Sequence, residues 1–145
     1  MLLALVGTLV AGLPRHAFGA QNETAIEVWK TPTCGCCGFW VDHMRANKFR
    51  PTVHDVPDVG PVKRKLGVPA ALESCHTAVV GGYTVEGHVP ADVVRTMLKE
   101  RPAIAGIAVA GMPMGSPGME QGSRKDSYNV VALDKTGKTS IYARR

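Results

Sequence analysis

Between residues 24 and 47 the spacing of apolar residues changes from every second position to the helical interval, and the change falls on a cluster of cysteines. "TAIEVWK" (24–30) carries Ile26, Val28 and Trp29 and predicts a strand. "TPT" at 31–33 breaks it. Cys37, Trp40, Val41 and Met44 then recur at helical spacing, which predicts a helix over 34–47 with Thr33 as its N-cap. A strand, a tight turn and a helix opening on C-x-x-C constrain the chain to an α/β arrangement in which the cysteines sit at a strand–helix junction.

The rest of the chain extends that pattern. "FRPTVHDV" (49–56) reads as a second strand, and "GPVKRKLG" (60–67), with Pro61 near its first turn, as a short helix. "HTAVVGGYTVEG" (76–87) has two apolar runs split by Gly81-Gly82, a hairpin signature. "ADVVRTMLKE" (91–100) places Val93, Val94, Met97 and Leu98 on one helical face and is stopped by Pro102. Residues 103–122, rich in Gly, Pro and Met, should be mostly loop. "DSYNVVALDKTGKTSIYA" (126–143) reads as a C-terminal β-hairpin with its turn at "DKTG". The order predicts a thioredoxin-like α/β domain with a mixed central sheet over 21–145, plus the Gly/Pro/Met-rich loop and the hairpin.

Residues 1–20 hold an apolar run followed by Pro14 and a small-residue site, as a secretory signal peptide does, although no positive charge precedes the run. The run is short for a membrane span, so a membrane contact is expected only through this segment left uncleaved. The expected location is the periplasm. The net charge of +5 is spread thinly over 145 residues. Its two tight basic groups, "KRK" at 63–65 and "ARR" at 143–145, read as solvated faces. No interleaving with aromatics points to nucleic acid.

The four cysteines are Cys34, Cys36, Cys37 and Cys75. Three clustered and one distant make a poor disulfide framework and a good ligand or redox pattern. A helix N-terminus stabilises a thiolate, which is both the redox nucleophile and the soft-metal ligand. Cys34 and Cys37 therefore fit either chemistry. Cys36 is superfluous to a dithiol exchange site and favours metal binding. Cys75 and His76 precede the hairpin, in the loop that packs against C-x-x-C in thioredoxin-like folds. That loop usually bears a cis-proline there, but residues 74–77 contain none. His43 is read equally as an outer ligand or a surface histidine, Met44 as core, and Trp40 as packing beside the site. His88 is read as a neighbour of the site or a helix-start cap. Met112, Met114 and Met119 lie among Gly and Pro, where thioethers suit Cu(I). A structural zinc site of four cysteines and a thiol-disulfide oxidoreductase are the competing readings; iron–sulfur ligation fits the spacing less well.

"TPTCGCCGFWVDHM", "GVPAALESCHTAVVGGYTVEGHVPADVV" and "IAVAGMPMGSPGME" together resemble the DUF411 family, which includes the CopG-type periplasmic copper-resistance proteins. The resemblance spans roughly residues 25–142. It implies a thioredoxin-like fold and a multinuclear Cu(I) cluster, with Cys34, Cys37 and Cys75 at the cluster-forming positions and Cys36 in the same block. His43, His76, His88, Met112 and Met114 match family motif positions. Copper ions are the implied partner, with periplasmic copper carriers or efflux components beyond them, and a copper redox role is compatible.

Overall fold

The computed structural model describes residues 23–145; the expected signal segment 1–20 lies outside them. The chain runs β1 (Thr24–Lys30), α1 (Gly35–Ala46), β2 (Phe49–Asp55), α2 (Gly60–Lys65), a 3-10 turn (Ala70–Leu72), β3 (Thr77–Val80), β4 (Tyr83–Glu86), α3 (Ala91–Glu100), β5 (Gly106–Ala108), β6 (Asn129–Leu133) and β7 (Thr139–Arg144). Among the described residues the strands form one mixed sheet, ordered β2-β1-β3-β4-β5-β6-β7. The pairs β1–β2 and β4–β5 are parallel and the other neighbours antiparallel.

The pairing register aligns apolar residues in a row across this sheet. Val53 stands opposite Val28, Val28 opposite Ala78, Ala78 opposite Val85, Val85 opposite Ile107 and Ile107 opposite Ala132. A slip of one residue in any strand would turn its apolar set to the other face, so burial fixes the register. Against this row pack Trp40, Val41 and Met44 of α1 and Val93, Val94 and Met97 of α3, all buried. The apolar face read from each helix is therefore the core face. The Trp40 indole also donates to Val89 O at 2.9 Å, joining α1 to the approach to α3.

Alternation along β3 and β4 directs Thr77, Thr84 and Glu86 to the opposite face of the sheet. There Thr77 and Glu86 meet Lys63 of α2, which is 5% exposed. This corrects one expectation: "KRK" is not a solvated face throughout, because its first lysine is drawn inside by a buried carboxylate. A lone charge run in sequence does not reveal a partner 23 residues away.

Other differences are local. Helix α1 starts at Gly35, and Cys34, not Thr33, holds its N-cap position. Cys34 is extended (φ −76°, ψ 97°), and its carbonyl accepts the Gly38 N–H at 3.3 Å, the first bond of the helix. No side chain caps this end. Within the expected loop 103–122, residues 106–108 form β5, a three-residue strand too short to show periodicity. β1, β2, α2, α3 and the β3–β4 hairpin agree with the sequence reading to within two residues, and the C-terminal hairpin starts at Asn129, three residues after its expected start. No helix among the described residues is long and apolar enough to cross a membrane.

This packing predicts unequal costs for two truncations. Met97→Ala, at a fully buried site, should lose roughly 2–5 kcal/mol of stability. Ile141→Ala, at a half-exposed position on β7, should change stability by less than about 0.5 kcal/mol. Urea unfolding of the two variants against wild type measures both.

Candidate metal centre

The centre is assembled from three stretches: the opening of α1, the loop before β3, and the residues just after β4. β1 delivers the chain to Thr31-Pro32-Thr33, and the Cys34 N–H closes the turn on Thr31 O at 3.2 Å. Cys34 and Cys37 lie one helical turn apart and are joined as a disulfide, with Cα atoms 5.4 Å from each other. Cys37 is buried, while Cys36, on the first turn between them, stays a half-buried free thiol. Its sulfur is 3.5 Å from Cys34 Sγ and 3.8 Å from Cys75 Sγ, so four sulfurs form one group.

Cys75 also belongs to a second group. Its sulfur lies 3.4 Å from His76 Nδ1 and 3.1 Å from His88 Nε2. Both histidines are fully buried. His88 Nδ1 sits 2.8 Å from Pro117 O. A carbonyl only accepts, so Nδ1 carries the proton and the Nε2 lone pair of the neutral ring is left facing Cys75. Histidines that ligate metals are oriented in this way, by a backbone carbonyl on the other nitrogen. The His76 ring lies 4.4 Å from the Trp40 ring and 4.9 Å, edge-on, from His88. Its Nε2 is buried without a hydrogen-bond partner. Such an orphaned group costs about 1–3 kcal/mol. The nitrogen turned toward Cys75 is Nδ1, so a metal shared with that sulfur would be taken there; with His88 Nε2 and the free thiols this makes a sulfur–imidazole donor set that fits a soft metal.

The electrostatics hold the donors neutral. Burial pushes His76 well below its ordinary value, helped by neighbouring His88 and Lys63, and burial lowers His88 too. Neither ring is protonated near neutral pH, so both keep a lone pair. Burial, reinforced by Cys36, pushes the Cys75 thiol up to about 11.

The Met-rich loop closes one side. A Cβ at Gly118, where φ is +87°, would lie 2.7 Å from Cys36 O and 2.8 Å from Trp40 N. Glycine is therefore required for the loop to reach α1, and that approach brings Pro117 O to His88. Met112, 53% exposed, and Met119 line an open groove with Cys36 and Phe39. Met114 does not line it and is fixed through its N–H to Asp126 Oδ2 at 3.1 Å.

The comparisons with known proteins bear on this geometry. The model of the family "Protein of unknown function, DUF411" matches residues 72–119, the stretch holding Cys75, His76, His88, Met112 and Met114. A solved structure described as copper resistance protein copG, form 2, is 48% identical, with a TM-score of 0.81, over 84% of this chain and 98% of that one. The chain belongs to the DUF411 family, of CopG type. A second structure, of form 1, is 47% identical, with a TM-score of 0.80, over 85% of this chain and 98% of the other. The comparison with curated protein sequences yields no match.

In this DUF411 protein the expected site residues divide. Cys34, Cys36, Cys37, Cys75, His76 and His88 converge. Two of the four expected thiolates, at 34 and 37, are bonded to each other in this state, because a helical C-x-x-C brings its sulfurs into bonding range. His43 is not in either donor group; its Nε2 accepts the Ala91 N–H at 3.1 Å and caps α3. The helix-start role weighed for His88 thus falls to His43. The Pro117 carbonyl and Gly118 escaped the sequence reading, since a main-chain acceptor has no residue signature. The Gly-x-Pro-Gly pattern of residues 115–118 was the available hint.

The state of the sulfurs gives a direct expectation. Thiol titration of the denatured, unreduced protein should find two thiols per chain, Cys36 and Cys75, and reduction should raise this to four.

Proposed function

We propose that this chain is a periplasmic copper-binding protein of copper resistance, holding Cu(I) at the Cys/His centre. The carrying observation is the convergence on Cys75 of a second free thiol, Cys36, and two buried neutral imidazoles, His76 and His88. Mixed sulfur and imidazole donors suit copper, with sulfur favouring the cuprous state. The solved relatives described as copper resistance proteins support the same metal. Zinc would fit a four-cysteine set, yet it leaves the paired histidines and the methionine-lined mouth without a role.

Each thiolate has lone pairs for two ions, so four sulfurs within reach of each other support a multinuclear cluster once Cys34 and Cys37 are reduced. Bound copper would supply one-electron chemistry there. The chain's own residues bind it, exclude water through Trp40 and the loop at Gly118, and fix the His88 ring through Pro117. Met112 and Met119, at the open side of Cys36, suit the passage of Cu(I) to or from periplasmic carriers or efflux components. The β1-α1-β2 unit followed by a hairpin and α3 supports the thioredoxin-like reading of the fold. Residues 1–20 act as the export signal in this proposal.

A second reading, thiol-disulfide exchange, is favoured by one observation: the Cys34–Cys37 disulfide at a helix start. Turnover in an insulin-reduction assay that survives Cys75→Ser but not Cys34→Ser would decide for it.

The reduced protein, offered Cu(I) without oxygen and then desalted, should retain at least about one copper per chain. Cys75→Ser, which removes the donor shared by both groups, should lower retention severely, whereas His43→Ala should leave it near wild type. A wild-type chain that emerges free of copper contradicts the proposal.

A further inference from the structure

Beneath Cys75 and His76 the support is ionic. Lys63 and Glu86 are 5% and 1% exposed, and Lys63 Nζ donates to Glu86 Oε1. Lys63 donates also to Thr77 Oγ1 at 3.0 Å, Thr77 Oγ1 donates to Glu86 Oε2 at 2.6 Å, and the Ser74 N–H donates to Glu86 Oε1 at 2.7 Å. The carboxylate therefore takes hydrogen bonds from both residues that flank the Cys75–His76 pair.

Stability alone does not account for this arrangement. A buried ion pair is commonly matched or bettered by apolar residues of similar volume, because desolvation offsets the Coulomb attraction. What apolar residues cannot supply is an acceptor on each side of one dipeptide. The grip continues along the chain. Ser74 Oγ donates to Gly111 O at 2.5 Å, tying the segment to the start of the Met-rich loop. The next residue after Glu86 donates its N–H to His76 O at 3.0 Å. That residue is Gly87, with φ +69°, and a Cβ there would stand 2.6 Å from Ser74 Cβ. His88 follows at once, so the end of β4 both seats one donor pair and presents the other donor.

We propose that Glu86 is a positioning residue for the metal centre: its carboxylate holds Ser74 and Thr77 so that Cys75 and His76 face Cys36 and His88, with Lys63 as its countercharge. The inference rests on the metal-binding reading above.

The test compares two full-length double variants with wild type, all reduced. Lys63→Met/Glu86→Leu replaces the pair by apolar residues and removes the acceptors. Lys63→Met/Glu86→Gln also removes the charges but keeps an amide oxygen for Ser74. The first should weaken Cu(I) binding about 10–100-fold in competition with a chelator. It should also shift the ultraviolet thiolate-to-copper band and, in the metal-free protein, speed alkylation of Cys75 read by peptide mass spectrometry. The second should stay close to wild type in all three. A Leu variant that is folded by circular dichroism and keeps wild-type affinity, band and alkylation rate overturns the proposal. If that variant does not fold, Thr77→Val, which removes one flanking hydrogen bond at nearly constant shape, should shift the same readouts in the same direction, and no shift overturns it. If wild type takes up no Cu(I), the metal reading falls, and the alkylation rates of the metal-free proteins alone decide the role of Glu86.

Discussion

The sulfur of Cys75 is the point on which the rest of the centre depends. It stands 3.1 Å from His88 Nε2, 3.4 Å from His76 Nδ1 and 3.8 Å from Cys36 Sγ. These contacts join the loop before β3, the end of β4 and the first turn of α1. The sheet makes the meeting possible: β3 is hydrogen-bonded to β1 on one side and to β4 on the other. The apolar row that fixes the register of these strands also fixes how far Cys75 is carried toward the cysteines of α1. The same core that stabilises the fold thus sets the distances of the site.

The site places polar atoms where water is scarce, and all but one of these placements have a partner. The Trp40 indole N–H goes to Val89 O, His88 Nδ1–H to Pro117 O, and the Lys63 ammonium to Glu86 and Thr77. His76 Nε2 alone among the described buried side-chain atoms goes unmatched. The other nitrogen of that ring, Nδ1, faces Cys75 Sγ at 3.4 Å, where it joins the two free thiols as a donor for a soft metal. The Cys34–Cys37 disulfide adds a second variable, because its two sulfurs become ligands only after taking up two electrons.

Much of this was legible in the sequence, for identifiable reasons. The change of period at residues 31–34 located the junction of β1 and α1, and Gly81-Gly82 located the hairpin that carries Cys75 and His88 toward each other. The sulfur and imidazole donors were legible as residue types, and the family resemblance tied them together. What stayed hidden was of another kind. Lys63 looked solvated because its carboxylate is 23 positions away on the far face of the sheet. His43 looked like an equal candidate because it follows Cys36 by seven residues, two turns further along α1, but it meets the backbone of α3 first. Strand β5 has three residues and rests on pairing with β4, not on its own periodicity. Long-range pairing and main-chain acceptors leave little trace in a single sequence, whereas local period and chemistry-bearing side chains leave a clear one.

The most direct test of the centre is X-ray absorption at the copper edge on the anaerobic, Cu(I)-loaded protein, in wild type and in His88→Ala. The geometry calls for a first shell containing both sulfur and nitrogen in wild type, with the nitrogen contribution reduced in the variant. A shell without sulfur, or one that is unchanged by loss of the His88 imidazole, would contradict the assignment of Cys75 and His88 to one copper site.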